Sequence, residues 1–129
     1  MAVGIKDLMA RAEGKVTTWE NAAAEGRRSD EDVVFVDIRD VRELERDGLI
    51  PGARHAPRGM LEFWIDPASP YHKDWFAEDK TFVFYCASGW RSLLATEVAQ
   101  DMGLKAVNLK GGFGGWREAG LPTEGRQKK

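Results

Sequence analysis

The sequence predicts an α/β protein in which a mainly parallel β-sheet is covered by helices on both faces. Three short apolar runs, at residues 33–36, 82–85 and 106–109, have the length and the β-branched or aromatic content of buried strands. Segments with helical spacing separate these runs, which is typical of β-α-β units. With 129 residues and 43% hydrophobic content, the chain has enough apolar material for one domain with a real core.

The N-terminal elements follow from local signals. Apolar residues at helical spacing predict a first helix over residues 5–13. Residues 15–17 are expected to form a short strand, after which Thr18 caps a second helix that ends at Gly26. A polar loop over residues 27–32 then leads to the first buried strand.

The middle of the chain alternates short elements with turns. Residues 41–47 predict a helix that Gly48 stops, and a turn at residues 50–53 leads to a short strand at residues 54–56. Residues 58–80 are the least regular segment and hold Trp, Tyr and Pro residues. We expect this segment to be a long loop or a set of short helices that covers part of the molecule.

The C-terminal elements complete the pattern. A helix is predicted over residues 93–102, ended by Gly103, between the second and third buried strands. A glycine-rich segment at residues 111–116 precedes a final short helix. The single domain therefore has its core at residues 16–122, and residues 123–129 are predicted to form a flexible basic tail. The basic residues of this tail are Arg126, Lys128 and Lys129.

Composition restricts the classes of partner. The formal net charge of −2 gives no reason to expect binding to nucleic acid or to a membrane surface. No apolar run approaches the roughly 20 residues that span a bilayer, and the N-terminus lacks the order of a signal peptide, so we expect a cytoplasmic protein. Cys86 is the only cysteine, and with His55 and His72 it offers no zinc-binding spacing. We therefore predict no intramolecular disulfide, no metal and no organic cofactor.

Chemically useful side chains follow two of the predicted strands. Asp37 and Arg39 come directly after the first buried strand, and Cys86 comes directly after the second. Ligands of parallel sheets bind beyond the carboxyl ends of the strands. We therefore expect these three residues to lie on the same edge of the sheet.

The loop that starts at Cys86 has the features of an anion site. It runs from the end of a buried strand towards a helix, so that backbone N–H groups and the positive end of the helix can converge on one point. Gly89 allows the loop to curl, and Arg91 adds a fixed positive charge. Such surroundings stabilise a thiolate nucleophile. A lone cysteine after a strand is, however, more often a small buried hydrophobe, and local physics leaves both interpretations open.

Three stretches of the sequence, taken in their order and spacing, resemble the rhodanese homology domain over about residues 16–122. They are residues 34–39 with 48–53, the loop 86–91, and residues 109–113 with Trp116. The resemblance implies a rhodanese-like three-layer α/β/α fold with a central five-stranded, mainly parallel sheet. One departure is Leu49, because many relatives have histidine before the Ile-Pro-Gly-Ala turn.

The resemblance also implies a sulfurtransferase of the thiosulfate sulfurtransferase type. Cys86 is the expected catalytic residue, which takes a sulfane sulfur from a small anionic donor such as thiosulfate and carries it as a persulfide. The acceptor is expected to be cyanide, a thiol or a protein. The residues expected to form the substrate-binding loop are Ala87, Ser88, Gly89, Trp90 and Arg91.

Two alternatives remain at this stage. Dual-specificity phosphatases and arsenate reductases have five residues between the cysteine and the arginine, whereas only four separate Cys86 from Arg91. The shorter loop suits a persulfide better than a tetrahedral oxyanion, and an arsenate reductase would lack a second cysteine to resolve its intermediate. The second alternative is a non-enzymatic persulfide carrier or interaction module whose partner docks on residues 58–80.

Other residues have open roles around the predicted site. Asp37 and Arg39 either brace the edge of the sheet through their neighbours or steer the substrate. Arg58 either adds positive charge near Cys86 or is a solvated surface residue. Trp90 is expected at the mouth of the pocket, because a large aromatic side chain cannot readily turn inward from the middle of this loop.

Overall fold

The computed structural model describes residues 2–126 and contains a five-stranded sheet in which every pairing is parallel. The strand order is β1-β5-β4-β2-β3. The strands are β1 (Thr17–Trp19), β2 (Val33–Asp37), β3 (Arg54–His55), β4 (Thr81–Tyr85) and β5 (Lys105–Leu109). The helices are α1 (Ile5–Glu13), α2 (Asn21–Arg27), α3 (Val41–Asp47), α4 (Leu61–Ile65), α5 (Trp90–Asp101) and α6 (Gly112–Glu118).

Alternation along the central strands produces a separate hydrophobic core on each face of the sheet. One face presents Val34, Val36, Phe82 and Phe84 to side chains of α4 and α5. The opposite face presents Val33, Phe35, Val83 and Tyr85 to side chains of α2 and α6. The chain therefore has the predicted three layers, with the sheet buried between two sets of helices.

Most predicted elements are confirmed, and two are bounded as predicted: α1 and α3. The predicted bounds of the second helix are wrong at both ends. Thr18 lies in β1, and α2 begins at Asn21 and continues past Gly26 to Arg27. Thr18 pairs with Asn108 of β5, so strand pairing overrides its local tendency to cap a helix.

The helices nearest the cysteine loop also differ from the prediction. Helix α5 begins at Trp90 rather than at residue 93, and the glycine-rich segment is itself the start of α6. Each helix is preceded by a glycine in the left-handed region, with φ of +102° at Gly89 and +79° at Gly111. These glycines allow the abrupt change of direction from strand to helix.

Residues 58–80 fold as short helical segments, one of the two predicted outcomes. Helix α4 lies between two 3₁₀ turns, Arg58–Met60 and Asp74–Ala77. Phe76 of the second turn is buried and lies against the rings of Phe82 and Phe84. The segment thus covers part of one sheet face.

The C-terminal segment is folded further than the sequence predicts. Glu124 forms an antiparallel bridge with Leu49, and its carboxylate accepts a hydrogen bond from the N–H of Gly52 at 3.1 Å. Glu124 therefore belongs to the folded domain rather than to a flexible tail, and Lys128 and Lys129 lie outside the described residues. Between residues 2 and 126, none of the helices combines the length and apolar character needed to cross a membrane.

Candidate active site

The carboxyl ends of β2 and β4 bring the predicted site residues to one edge of the sheet. Asp37 pairs with Tyr85 in the parallel register, and the N–H of Ile38 donates to the carbonyl of Tyr85 at 3.1 Å. Cys86 follows Tyr85 directly and is fully buried. The expectation that Asp37, Arg39 and Cys86 share an edge therefore agrees with the strand register.

Helix α6 fixes the shape of the cysteine loop. The N–H of Phe113 donates to the carbonyl of Cys86 at 2.7 Å, and that of Gly114 donates to the carbonyl of Ala87 at 2.9 Å. A Cβ atom on Gly112 would lie 2.5 Å from the carbonyl oxygen of Cys86, so this approach requires glycine. With two carbonyls bound to α6, the N–H groups that follow them are free to face the other side of the loop.

The sulfur of Cys86 receives hydrogen bonds from the loop and from the start of α5. The N–H of Gly89 lies 3.2 Å from Sγ and the N–H of Ser92 lies 3.4 Å from it. Within residues 2–126, the N–H groups of Ala87, Ser88, Trp90 and Arg91 have no acceptor. Gly89 and Ser92 thus form a small array of backbone donors to one sulfur atom, which favours an anion.

A buried side-chain pair that the sequence analysis did not identify extends this array. Ser92 Oγ lies 3.5 Å from Cys86 Sγ, and it donates to Asn108 Oδ1 at 2.6 Å. Ser92 and Asn108 are both buried. The sequence carried one signal for Ser92, its place directly after Arg91, but none that connected it with a residue of β5.

Arg91 forms a bidentate ion pair with Glu43 on α3. Its Nη1 and Nη2 atoms donate to the two carboxylate oxygens at 2.9 and 3.0 Å. The side chain of Arg91 is 45% exposed, whereas that of Glu43 is 19% exposed. Hydrogen bonding from Arg91 lowers the pKa of Glu43, and the same bonds, with smaller effects of the Glu43 and Cys86 charges, raise the pKa of Arg91. The guanidinium of Arg91 is thus held by Glu43, so it is neither unpaired nor fully solvated.

Asp37 and Arg39 pair with each other and lie wholly inside the protein, which corrects the expectation that they pair through their neighbours. Arg39 Nη2 donates to Asp37 Oδ2 and to the carbonyl of Gly48, both at 2.7 Å. The guanidinium carbon of Arg39 also lies 4.5 Å from the centre of the Phe113 ring. Because the donors of Arg39 are taken up by Asp37 and by the carbonyl of Gly48, this pair braces the edge of the sheet.

Arg58 and Trp90 both have side chains that reach the surface. Arg58 is partly exposed and donates to Glu62 at 2.8 Å, so its charge is shared with α4. Trp90 is 66% exposed and stands at the edge of a groove of about 640 Å³. Ser88, Gly89 and Asn108 also line this groove, which lies beside the loop.

The arrangement can stabilise negative charge on one buried sulfur with backbone N–H groups, a hydroxyl and a nearby guanidinium. These are the requirements of a cysteine nucleophile that also serves as a leaving group. In the described part of the chain, no group of three or more His, Cys, Asp or Glu side chains is placed to hold a metal ion.

Known proteins resemble this chain in both sequence and structure. The model of the rhodanese-like domain family matches residues 20–119. A sulfurtransferase of Allochromatium vinosum is 34% identical over 93 residues, which cover 71% of this chain and 78% of that protein. The thiosulfate:glutathione sulfurtransferase of Homo sapiens is 36% identical over 90 residues, covering 64% of this chain and 76% of that protein.

The solved structures that resemble this chain include one that matches it over nearly its whole length. It is a protein of unknown function from Rhodopseudomonas palustris, described as a possible tyrosine phosphatase. The two proteins are 55% identical, each is covered to 96%, and the TM-score is 0.93.

Proposed function

Because the chain belongs to the family of rhodanese-like domains, we propose that it is a sulfurtransferase whose Cys86 carries the transferred sulfur as a persulfide. The sulfurtransferase relatives support the general activity. The observation that carries the assignment to Cys86 is the pair of backbone N–H groups, from Gly89 and Ser92, within 3.4 Å of its sulfur. A structural cysteine would have no need of such donors.

In the first half-reaction, the Cys86 thiolate attacks the outer sulfur of an anionic donor such as thiosulfate. A bond forms between Sγ and that sulfur, and the donor's sulfur–sulfur bond breaks with its electron pair on the departing sulfite. The N–H groups of Ala87, Ser88, Trp90 and Arg91, which have no acceptor within the described residues, bind the outer sulfur of the resulting persulfide in this proposal. Thiosulfate is proposed because it is small and anionic, and because it is named as the donor of the human relative.

In the second half-reaction, a nucleophilic acceptor takes the outer sulfur and the electron pair of the broken bond returns to Cys86 Sγ. Cyanide and small thiols are the proposed acceptors, and the human relative is named for glutathione. The groove that Trp90 and Ser88 line provides space for an acceptor beside the loop. Two half-reactions that share one covalent intermediate predict ping-pong kinetics.

A phosphatase is the second candidate, because the Rhodopseudomonas palustris neighbour is described as a possible one. Loop length favours sulfur transfer for this chain, because only four residues separate Cys86 from Arg91 and the shorter loop suits a persulfide better than a tetrahedral oxyanion. A non-enzymatic carrier, whose partner would dock on residues 58–80, would share the persulfide but differ in turnover.

The deciding experiment measures the mass of the protein after incubation with thiosulfate and again after cyanide is added. We expect a gain of about 32 Da at Cys86, corresponding to one sulfur atom, that cyanide then removes. Absence of the added mass would reject the persulfide. A carrier would load the sulfur yet turn over poorly with small donors and acceptors, whereas the proposed enzyme turns over repeatedly.

A further inference from the structure

We propose that Ser92 is a catalytic residue of sulfur release, whose hydroxyl donates to Cys86 Sγ as the persulfide bond breaks, and that Asn108 is its positioning residue. This inference rests on the proposed persulfide chemistry. It distinguishes the two half-reactions, because it assigns Ser92 to the second rather than to the first.

Two backbone donors and one hydroxyl, which accepts from the thiol in the resting protein, lie close to the inner sulfur. The N–H of Gly89, the N–H of Ser92 and the Oγ of Ser92 lie 3.2, 3.4 and 3.5 Å from Cys86 Sγ. Ser92 alone supplies two of these three groups. Sγ is the atom on which negative charge appears during release, so donors at this atom act on the leaving group.

The hydroxyl of Ser92 has a defined direction in the resting protein. Its distance of 2.6 Å to Asn108 Oδ1 requires the hydroxyl to donate to that oxygen, because a carbonyl oxygen has no proton to give. The Oγ atom therefore offers a lone pair to Cys86, which suits a neutral S–H donor at 3.5 Å. The chain of bonds runs in one direction, from the thiol through Ser92 to Asn108.

The thiol proton is already lost when the thiolate attacks the donor, so Sγ carries no proton in the persulfide and release moves no further proton. The acceptor forms a bond with the outer sulfur, the bond from that sulfur to Sγ breaks, and the electron pair stays on Sγ. The Ser92 hydroxyl turns to donate to the new thiolate, and the Asn108 amide turns its NH₂ group to the freed Oγ lone pair. Asn108 lines the groove beside the loop, so its amide is not enclosed on every side.

Burial makes this hydroxyl important. Cys86 and Ser92 have no solvent-exposed surface and Asn108 has little, so a polar group lost beside Sγ is costly to leave unreplaced. Loading has the opposite requirement, because a thiolate that accepts more hydrogen bonds is a weaker nucleophile and attacks the donor more slowly. Removing the hydroxyl should therefore slow release but spare or accelerate attack by the thiolate.

The test separates kcat/KM for thiosulfate from kcat/KM for cyanide in wild type and in Ser92→Ala. We expect kcat/KM for cyanide to fall about tenfold. We expect kcat/KM for thiosulfate, measured at a pH where the thiol is ionised, to change by less than about threefold or to rise. Asn108→Ala should show the same asymmetry with a smaller loss, and Ser92→Thr, which retains a hydroxyl, should restore most of the rate for cyanide.

Thr96→Val is the matched control. Thr96 is also buried on α5, and its hydroxyl donates to the carbonyl of Ser92 at 2.7 Å without touching the sulfur. We expect this variant to leave the ratio of the two kcat/KM values unchanged. Equal losses in both half-reactions of Ser92→Ala, or the same asymmetry in Thr96→Val, would overturn the proposal.

Mass measurement distinguishes this failure from failure of the proposed function. If wild type never gains the mass of one sulfur, the persulfide chemistry itself is wrong. If both wild type and Ser92→Ala load sulfur and release it equally fast, only the role of Ser92 is wrong. Normal loading of Ser92→Ala also shows that its active site has folded.

Discussion

Glu43 and Arg91 join helix α3 to helix α5 through two parallel hydrogen bonds, although they lie 48 residues apart in the chain. The arrangement holds the guanidinium near Cys86 and at the same time offsets its charge. An anionic donor that approaches the loop therefore meets a positive group that already has a partner. The reactivity of the site depends on how Arg91 divides its hydrogen bonds between Glu43 and the incoming anion.

Replacing the sulfur should remove the activity while leaving the fold. Cys86→Ser changes one atom at a buried position, and the hydroxyl can accept hydrogen bonds from the same N–H groups of Gly89 and Ser92. We expect no detectable thiosulfate:cyanide transfer and a circular dichroism spectrum like that of wild type. Retained transfer in the folded variant would contradict the proposed nucleophile.

Arg91 should contribute to transfer through its charge and its shape. A charge-assisted interaction with the anionic sulfur is worth about 1.5–3 kcal/mol, so Arg91→Ala should reduce kcat/KM for thiosulfate roughly tenfold to a hundredfold. Arg91→Lys should recover only part of the rate, because a point charge does not reproduce the planar fork. A loss below about threefold in Arg91→Ala would mean that the backbone donors suffice.

The Glu43–Arg91 pair should stabilise the protein in a pH-dependent way. Arg91 lowers the pKa of Glu43 below its ordinary value of 4.5, so the contribution is present above that pH and is lost as the pH falls through the lowered pKa. Because Arg91 is nearly half exposed, we expect at most about 1 kcal/mol. The measurement is the urea-unfolding free energy of wild type and Glu43→Gln between neutral and acidic pH.

The difference between these two proteins should shrink on acidification below pH 4.5. Glu118→Gln is the control, since Glu118 is exposed and forms no ion pair within the described residues. Its effect should be small and nearly constant with pH. A Glu43→Gln effect that is equally flat would show that the ion pair adds nothing to stability.

Gly112→Ala should disrupt the loop more than an ordinary substitution at a positive φ. The added Cβ would lie 2.5 Å from the carbonyl of Cys86, and the backbone there has φ of +61°. Gly120→Ala carries the same kind of strain at φ of +75°, with no atom within 4 Å of the added Cβ. Strain alone costs about 1–3 kcal/mol, so both variants should lose stability.

Only Gly112→Ala should also lose sulfur transfer, by more than about tenfold, because it displaces the carbonyls that α6 holds. Thermal unfolding and the transfer assay measure the two effects separately. Equal activity in the two variants would indicate that the loop tolerates movement of α6.

The wild-type protein should not hydrolyse aryl phosphates. Its loop places four residues between Cys86 and Arg91, and insertion of one residue should widen the loop and increase the affinity for phosphate. Assays with p-nitrophenyl phosphate and competition by inorganic phosphate test both expectations. Rapid phosphatase turnover by the unmodified protein would show that loop length does not separate the two activities.

Local sequence signals predicted the elements that depend on local interactions, and failed where distant residues decide. Helix α3 has a capping aspartate, Asp40, and a terminating glycine, Gly48, and its predicted bounds are correct. Thr18 carried a similar capping signal, but its pairing with β5 decided the outcome. The same reason explains the missed site residues. The contacts from Arg91 to Glu43 and from Ser92 to Asn108 join elements whose proximity depends on the whole sheet.

The order of the strands has a consequence for biosynthesis. Strand β5 lies between β1 and β4, and α6, which follows it, holds the carbonyls of Cys86 and Ala87. A ribosome that has just made Cys86 needs roughly 1–6 seconds, at about 5–20 residues per second, to reach Gly114. Until then the nascent chain carries its thiol without Asn108 or α6, and the anion site does not exist. A chain that ends before α6 should therefore react with thiosulfate no faster than an ordinary thiol does, because the loop that favours the thiolate has not formed.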